Sequence, residues 1–113
     1  MPEPRLPLVA RRTHRIVSVD ASHRVLDRAC WRRLGWTPGT LVSAKPNGWA
    51  IVLDTDSAGV PLVLDTRSRL RLPVAMLRSI GWQPGSDVWL TADETTLWVR
   101  STAILDEREA EHA

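Results

Sequence analysis

Arg67, Arg69 and Arg71 recur at every second residue, with Leu70 and Leu72 interleaved. In an extended strand that spacing puts three guanidinium groups on one side and the leucines on the other. Three like charges so placed repel one another unless an anion faces them. A guanidinium is a planar fork of donors that suits a phosphate or a guanine edge. An arginine-bearing β-ribbon can enter a major groove, read base edges and hold the flanking phosphates. Lys45 is the only lysine among fifteen Lys and Arg. Phosphate recognition and GC-rich coding both produce that bias, so position has to separate them.

A second pattern involves acid and base together. Asp20-Ala21-Ser22-His23-Arg24 and Asp65-Thr66-Arg67-Ser68-Arg69 share the spacing D-x-x-x-R. Across a turn this spacing lets the carboxylate meet the guanidinium. Two readings of Arg24 and Arg69 follow: a purely local ion pair, or an arginine braced by its Asp and presented to a ligand. Arg32 and Arg78 each stand three residues before a glycine, Gly35 and Gly81. They are either solvated helix residues or a further part of the basic patch, which Arg33 and Arg28 extend in the first case. Arg15 follows a Pro-spaced basic stretch with Arg5, Arg11 and Arg12. Such a stretch either tracks a phosphate backbone or is an unstructured tail.

Other chemistry is not encoded. His14, His23 and His112 share no metal-ligand spacing, and Cys30 is a single cysteine. No nucleophile–base constellation and no phosphate loop is present. The expectation is a protein that is not an enzyme and uses neither cofactor nor metal. Six Trp with no Tyr or Phe is an unusual composition. Core packing is the better reading for Trp36 and Trp82; an exposed row that stacks single-stranded bases is the alternative.

The elements that must position these residues come in two copies. Shifting the chain by 46 places Leu34-Gly35-Trp36-Thr37-Pro38-Gly39-Thr40 on Ile80-Gly81-Trp82-Gln83-Pro84-Gly85-Ser86. Arg32 then falls on Arg78, Trp31 on Leu77 and Cys30 on Met76, so Cys30 reads as a buried apolar residue. A shift of 45 aligns the D-x-x-x-R segments upstream. Each copy reads as β-β-α-β-β. In the second copy, strands are expected at 60–65 and 69–72, with Pro73 opening a helix over 74–80. Gly81 is placed to end that helix, and a hairpin at 87–91 and 96–100 turns around Asp93-Glu94. In the first copy the strands are 15–19 and 24–26, Asp27 is a helix N-cap, and the helix ends at Gly35. A hairpin at 40–44 and 49–53 is closed by Asn47-Gly48, a type I′ signal.

The expected organisation is therefore an N-terminal arm (1–12), a first repeat (13–55), a linker (56–59), a second repeat (60–103) and an acidic tail (104–113). About 45 residues bury too little apolar surface to fold alone, so the copies should share one core. The expected fold is mainly β with two short helices: a pseudo-symmetric β-barrel built by the two repeats. The formal charge is +2; residues 106–113 carry −3, which leaves +5 on the rest. With no signal-like or membrane-spanning run, a cytoplasmic protein is expected.

The D-x-x-x-R hairpin, the Leu72-Pro73 helix start and the L/I-G-W-x-P-G turn resemble the AbrB/MazE/SpoVT family over roughly residues 15–100, in two tandem passes. MraZ-type regulators also carry two D-x-x-x-R copies, joined by a longer, helix-containing connection. The resemblance implies a swapped-hairpin (double-split) barrel, normally made by two subunits and here by one chain. It implies a bacterial, nucleoid-associated transcriptional regulator that binds double-stranded DNA in a sequence-specific way. It carries a DNA-contacting role to Arg24 and Arg69 and a DNA-facing helical position to Arg32 and Arg78. The sequence departs from the family where Gly usually precedes the motif Arg, having His23 and Ser68 instead, and where Asp27 replaces the helix-starting Pro. An antitoxin that also binds a toxin, and a protein-interaction module without DNA affinity, are alternatives on the same scaffold. A further homo-oligomer is left open.

Overall fold

The computed structural model describes residues 12–56 and 58–102. In chain order these form β1 (Thr13–Ser18), β2 (Arg24–Val25), α1 (Arg28–Leu34), β3 (Leu41–Asn47), β4 (Ala50–Asp54), β5 (Val60–Val63), β6 (Leu70–Arg71), α2 (Val74–Ser79), β7 (Asp87–Ala92) and β8 (Leu97–Ser101). The protein is mainly β with two short helices, in the β-β-α-β-β order expected of each copy. No helix among the described residues is long and apolar enough to cross a membrane.

Six strands make one antiparallel sheet in the order β1-β7-β8-β4-β3-β5; β2 and β6 make a separate ribbon. β1 therefore pairs with the third strand of the other copy, and β5 pairs with β3 in the same crossed sense. The expected barrel is not a closed one. β1 and β5 stand at opposite ends of the sheet, and the ribbon strands, two residues each, pair as strands with one another and not with the sheet.

Strand alternation turns one face of the sheet inward. Val42, Ala44, Ile51, Leu53, Val88, Leu90, Ala92, Leu97 and Val99 are buried there. The helices add Cys30, Trp31, Leu34 and Leu77, and the ribbon adds Val25 and Leu70, to the same cluster. Both copies thus line one core. Burial pushes the Cys30 thiol up to about 12, and the neighbouring Asp27 carboxylate adds to the effect.

The repeated L/I-G-W-x-P-G segment is explained locally. Gly35 and Gly81 adopt φ of 73° and 87°, the left-handed geometry that ends a helix. The next residue closes the turn: the Trp36 N–H donates to Trp31 O at 2.9 Å and the Trp82 N–H to Leu77 O at 3.0 Å. Pro38-Gly39 and Pro84-Gly85 then form type II turns, closed by Thr40 N–H to Thr37 O and Ser86 N–H to Gln83 O. Trp36 and Trp82 are buried, as expected.

Two local features differ from expectation in a way that bears on the site. Pro73 is the cap residue before α2 rather than its first residue. Asn47 pairs with Ala50, so the first hairpin turns on Gly48-Trp49. Only Gly48 of that pair has positive φ, which is the type II′ pattern with Gly first. Trp49 consequently leaves the strand and is 69% exposed. Asp27 caps α1 as expected, accepting from the Cys30 N–H at 2.9 Å.

The linker between copies crosses β3 closely. A Cβ at Gly59 would lie 2.4 Å from Ala44 O and 2.8 Å from Ala44 C. Backbone atoms held in a sheet cannot step aside, so only glycine fits. Gly59→Ala is expected to lower stability by about 1–3 kcal/mol, the usual cost of overpacking, measured as a shifted urea midpoint with unchanged m-value.

Candidate nucleic-acid interface

Each D-x-x-x-R segment folds as a loop saturated by one carboxylate. Asp20 Oδ1 accepts the backbone N–H of Ser22 and of Arg24, both at 2.9 Å, and Asp20 Oδ2 accepts Arg24 Nε–H at 2.9 Å. Asp65 repeats this with Arg67 N–H and Arg69 N–H at 2.8 Å and Arg69 Nε–H at 3.1 Å. The backbone closes identically, with the Asp20 N–H on Arg24 O and the Asp65 N–H on Arg69 O. The backbone N–H of Arg24, then that of Ser22 and the guanidinium, hold the Asp20 carboxyl below its ordinary value; Asp65 is lowered by the same groups of its own loop.

His23 and Ser68 adopt φ of 66° and 63°. That conformation explains why glycine suits this position, and the two non-glycine residues adopt it nonetheless. The two readings of Arg24 and Arg69 combine here. Nε is engaged by the Asp, while the outer nitrogens make no hydrogen bond with a described residue. Each guanidinium is braced at one edge and open at the other.

The ribbon brings the two loops together. Arg24 lies directly opposite Arg71, and Val25 opposite Leu70. Val25 and Leu70 are buried, so Arg24 and Arg71 share the outer side, and alternation puts Arg69 there too. Like charges directly opposite on paired strands destabilise the pair. The carboxylates nearby, Asp20 and Asp65, are each engaged by their own loop and its arginine, and Arg71 forms no salt bridge with a described residue. Arg24, Arg69 and Arg71 line a groove of about 560 Å³, whose remaining walls are Leu41, Pro61, Leu62, Val63 and Asp65. The apolar part was not legible in the sequence, because Leu41-Val42 and Leu62-Val63-Leu64 are apolar at successive positions and do not reveal which parity faces the core. Leu41 and Val63 are 71% and 49% exposed, since alternation turns this cross-strand pair away from the face that holds Val42.

Each loop also rests on the other copy's helix region. The Trp31 indole N–H of α1 donates to Ser68 O at 2.7 Å, next to Arg69. The Trp82 ring, four residues after Arg78, meets the His23 ring edge-on at 5.8 Å, next to Arg24. The helices bearing Arg32 and Arg78 are thus tied to the loops bearing Arg69 and Arg24. Arg32 and Arg78 are exposed and form no salt bridge with a described residue.

Three expected site residues sit differently. Arg67 is in the turn rather than on a strand, because its N–H is drawn to Asp65. It is exposed, but it does not continue the alternation of Arg69 and Arg71. Arg33 is half-buried, and its Nε is buried without a partner among the described residues. Arg15 Nε is bound to Asp27 Oδ1 at 2.9 Å, an ion pair to a carboxylate only 6% exposed. Its first task is structural. Copy two has Val60 and Pro73 at the matching positions, so neither charge is there. Arg5 and Arg11 lie outside the described residues.

Sequence reasoning missed a set of cation–aromatic contacts. Arg12 lies 5.1 Å from the Trp98 ring centroid and Arg100 5.2 Å from that of Trp89. Trp89 and Trp98 are half-buried under these cations rather than exposed as a stacking row.

Two predictions follow from this geometry. A depressed carboxyl pKa contributes stability that is present above the unfolded value and lost as pH falls through the folded one. Asp20 and Asp65 should therefore titrate below 3.8. The Nε–H resonances of Arg24 and Arg69 should persist until the pH passes those midpoints, in an NMR titration. Arg15→Ala should cost about 1–3 kcal/mol in thermal denaturation by stranding the buried Asp27 carboxylate. Arg15→Val combined with Asp27→Ser should recover most of that loss, because serine caps the helix without a charge. Comparison with family models, with curated proteins and with solved structures finds no match to this chain.

Proposed function

We propose that this protein is a duplex-DNA-binding transcriptional regulator that reads its site through the β2–β6 ribbon, on a single-chain swapped-hairpin scaffold of the AbrB/MazE/SpoVT type. The observation that carries the reading is the cross-strand pair Arg24–Arg71 with Arg69 beside it. Like charges directly opposite weaken such a ribbon, Asp20 and Asp65 offset part of that at Arg24 and Arg69, and an anion facing the arginines would offset the rest. DNA supplies a row of phosphates and, in the major groove, guanine edges that fit a guanidinium fork. Bracing at Nε fixes the direction in which the outer nitrogens of Arg24 and Arg69 point, which lowers the entropy lost on binding.

Strand register supports the scaffold. With the shifts of 45 and 46 that align the copies, Val17↔Val88 corresponds to Leu62↔Val42, and Ser18↔Asp87 to Val63↔Leu41. The pairs Val25↔Leu70 and Val52↔Trp98 join matching positions of the two copies. A pairing map unchanged on exchange of copies is what a two-subunit swapped hairpin would have if fused into one chain. Because the loops differ in sequence, a loosely palindromic DNA site is expected.

The direct test is fluorescence anisotropy with duplex fragments of the protein's own promoter region at several salt concentrations. Binding should weaken linearly in log–log form with salt. Arg69→Ala and Arg71→Ala should each reduce that slope by roughly 1 if the lost contact is to a phosphate. Lys45→Ala on β3 should leave it unchanged. Absence of binding at low salt overturns the reading in favour of a protein-interaction module on the same scaffold.

A further inference from the structure

The walls of the groove beside the ribbon are not shared by the two halves of the molecule. On exchange of the copies Arg24 takes the place of Arg69, and Asp20 that of Asp65, so the braced arginines belong to both halves. Three other lining residues do not survive the exchange. The shift of 45 places Leu26 on Arg71 and Ser18 on Val63, and the shift of 46 places Leu41 on Asp87. The exposed cross-strand pair Leu41↔Val63 thus stands where the other half has Asp87↔Ser18. A scaffold built by two copies needs none of these three residues. A duplex read by both halves does not call for an apolar wall on one side.

What the three residues add is amphipathic. Arg71 supplies a third guanidinium beside Arg24 and Arg69. Leu41 and Val63 supply, with Pro61, an exposed apolar wall, and Leu62 beside it packs against the core. The groove measures about 560 Å³, within the roughly 300–1,000 Å³ of small-molecule sites. Asp65 also lines it, but its oxygens are taken by the Arg67 and Arg69 N–H groups and by Arg69 Nε–H. Three arginines against one aspartate leave the polar end cationic.

We propose that this groove is a small-molecule site for an amphipathic anion, with a carboxylate or phosphate head on a short aliphatic body. The head lies on Arg71 and on the outer nitrogens of Arg24 and Arg69; a guanidinium fork pairs with either head. The body lies along Leu41, Pro61 and Val63, and removes from water apolar surface that a DNA backbone leaves wet. Bracing by Asp20 and Asp65 holds two of the forks in place before the ligand arrives, which lowers the entropy lost on binding. Because the head takes the arginines that face DNA, the ligand is an effector that competes with DNA. The effector role rests on the DNA reading; the site itself does not.

The probes are octanoate and octyl phosphate, titrated by NMR into the full chain, including the acidic segment 104–113 that lies outside the described residues. The reporters are the Arg24 and Arg69 Nε–H groups and the Leu62 methyls. At least one probe should shift all of them saturably and leave the Leu97 methyls still; the tighter probe identifies the head. Acetate and octan-1-ol, which each keep one part of the ligand, should bind about ten-fold or more weakly. The full chain with Leu41→Ser and Val63→Ser should bind the better probe about ten-fold more weakly, the scale of two partly exposed apolar contacts. Arg71→Gln should cost about five-fold, the scale of one exposed ion pair. All three positions are exposed, so these variants keep the core intact. Shifts by neither probe overturn the proposal, and so does full affinity in the Leu41→Ser, Val63→Ser variant. Duplex-DNA anisotropy is the second arm. At about ten times its dissociation constant the better probe should weaken DNA binding about ten-fold. Unweakened DNA binding with the groove occupied overturns the effector role. Probe binding by a protein that binds no DNA upholds the site and sinks the DNA reading.

Discussion

Strand β1 has no partner within its own copy. Its backbone groups are met by β7, and those of β5 are met by β3. A strand edge left unpaired is costly when buried and prone to aggregate when exposed. Exchange of first strands between copies is therefore the constraint on which the rest of the structure depends. It draws β2 and β6 alongside each other, puts both copies around one core and carries each D-x-x-x-R loop onto the other copy's helix region. The contacts of Trp31 with Ser68 and of Trp82 with His23 are consequences of that exchange.

Within this frame the two aspartates do local work of a different kind. Asp20 and Asp65 each hold two backbone N–H groups and one guanidinium. The loops need such help because His23 and Ser68 are left-handed, a conformation that costs a non-glycine residue roughly 1–2 kcal/mol. The same carboxylates orient Arg24 and Arg69. Loop closure and presentation of the arginines are thus one interaction, and a loop that loses its acid loses both.

The copies have diverged where their surroundings differ. Copy one buries the Asp27 carboxylate at the start of α1 and answers it with Arg15. Copy two has Val60 and Pro73 instead, with no side-chain cap on α2. The changes come as a matched pair, since either charge alone would be stranded. Trp31 in place of Leu77 likewise gains an indole N–H that reaches Ser68 O. The scaffold accordingly offers two related but unequal halves to any ligand.

What the sequence by itself determined is what short-range bonding controls. Helix ends at Gly35 and Gly81, the Pro-Gly turns, the Asp27 cap and the two Asp-braced loops all close within about five residues, so residue type and spacing are enough. The copy number and the β-β-α-β-β order were readable for the same reason. Tertiary structure alone decided what depends on partners far apart in the chain. Arg24 faces Arg71 across the ribbon, Arg15 was drawn from the expected binding face to Asp27, and Leu41 and Val63 were turned away from the core. Hairpin phase was also beyond the sequence: Asn47-Gly48 was the expected turn, and the register that pairs Asn47 with Ala50 moves it to Gly48-Trp49. The arginines could be counted from the sequence. Which of them open onto one groove was set by the exchange of strands that brings the two loops side by side.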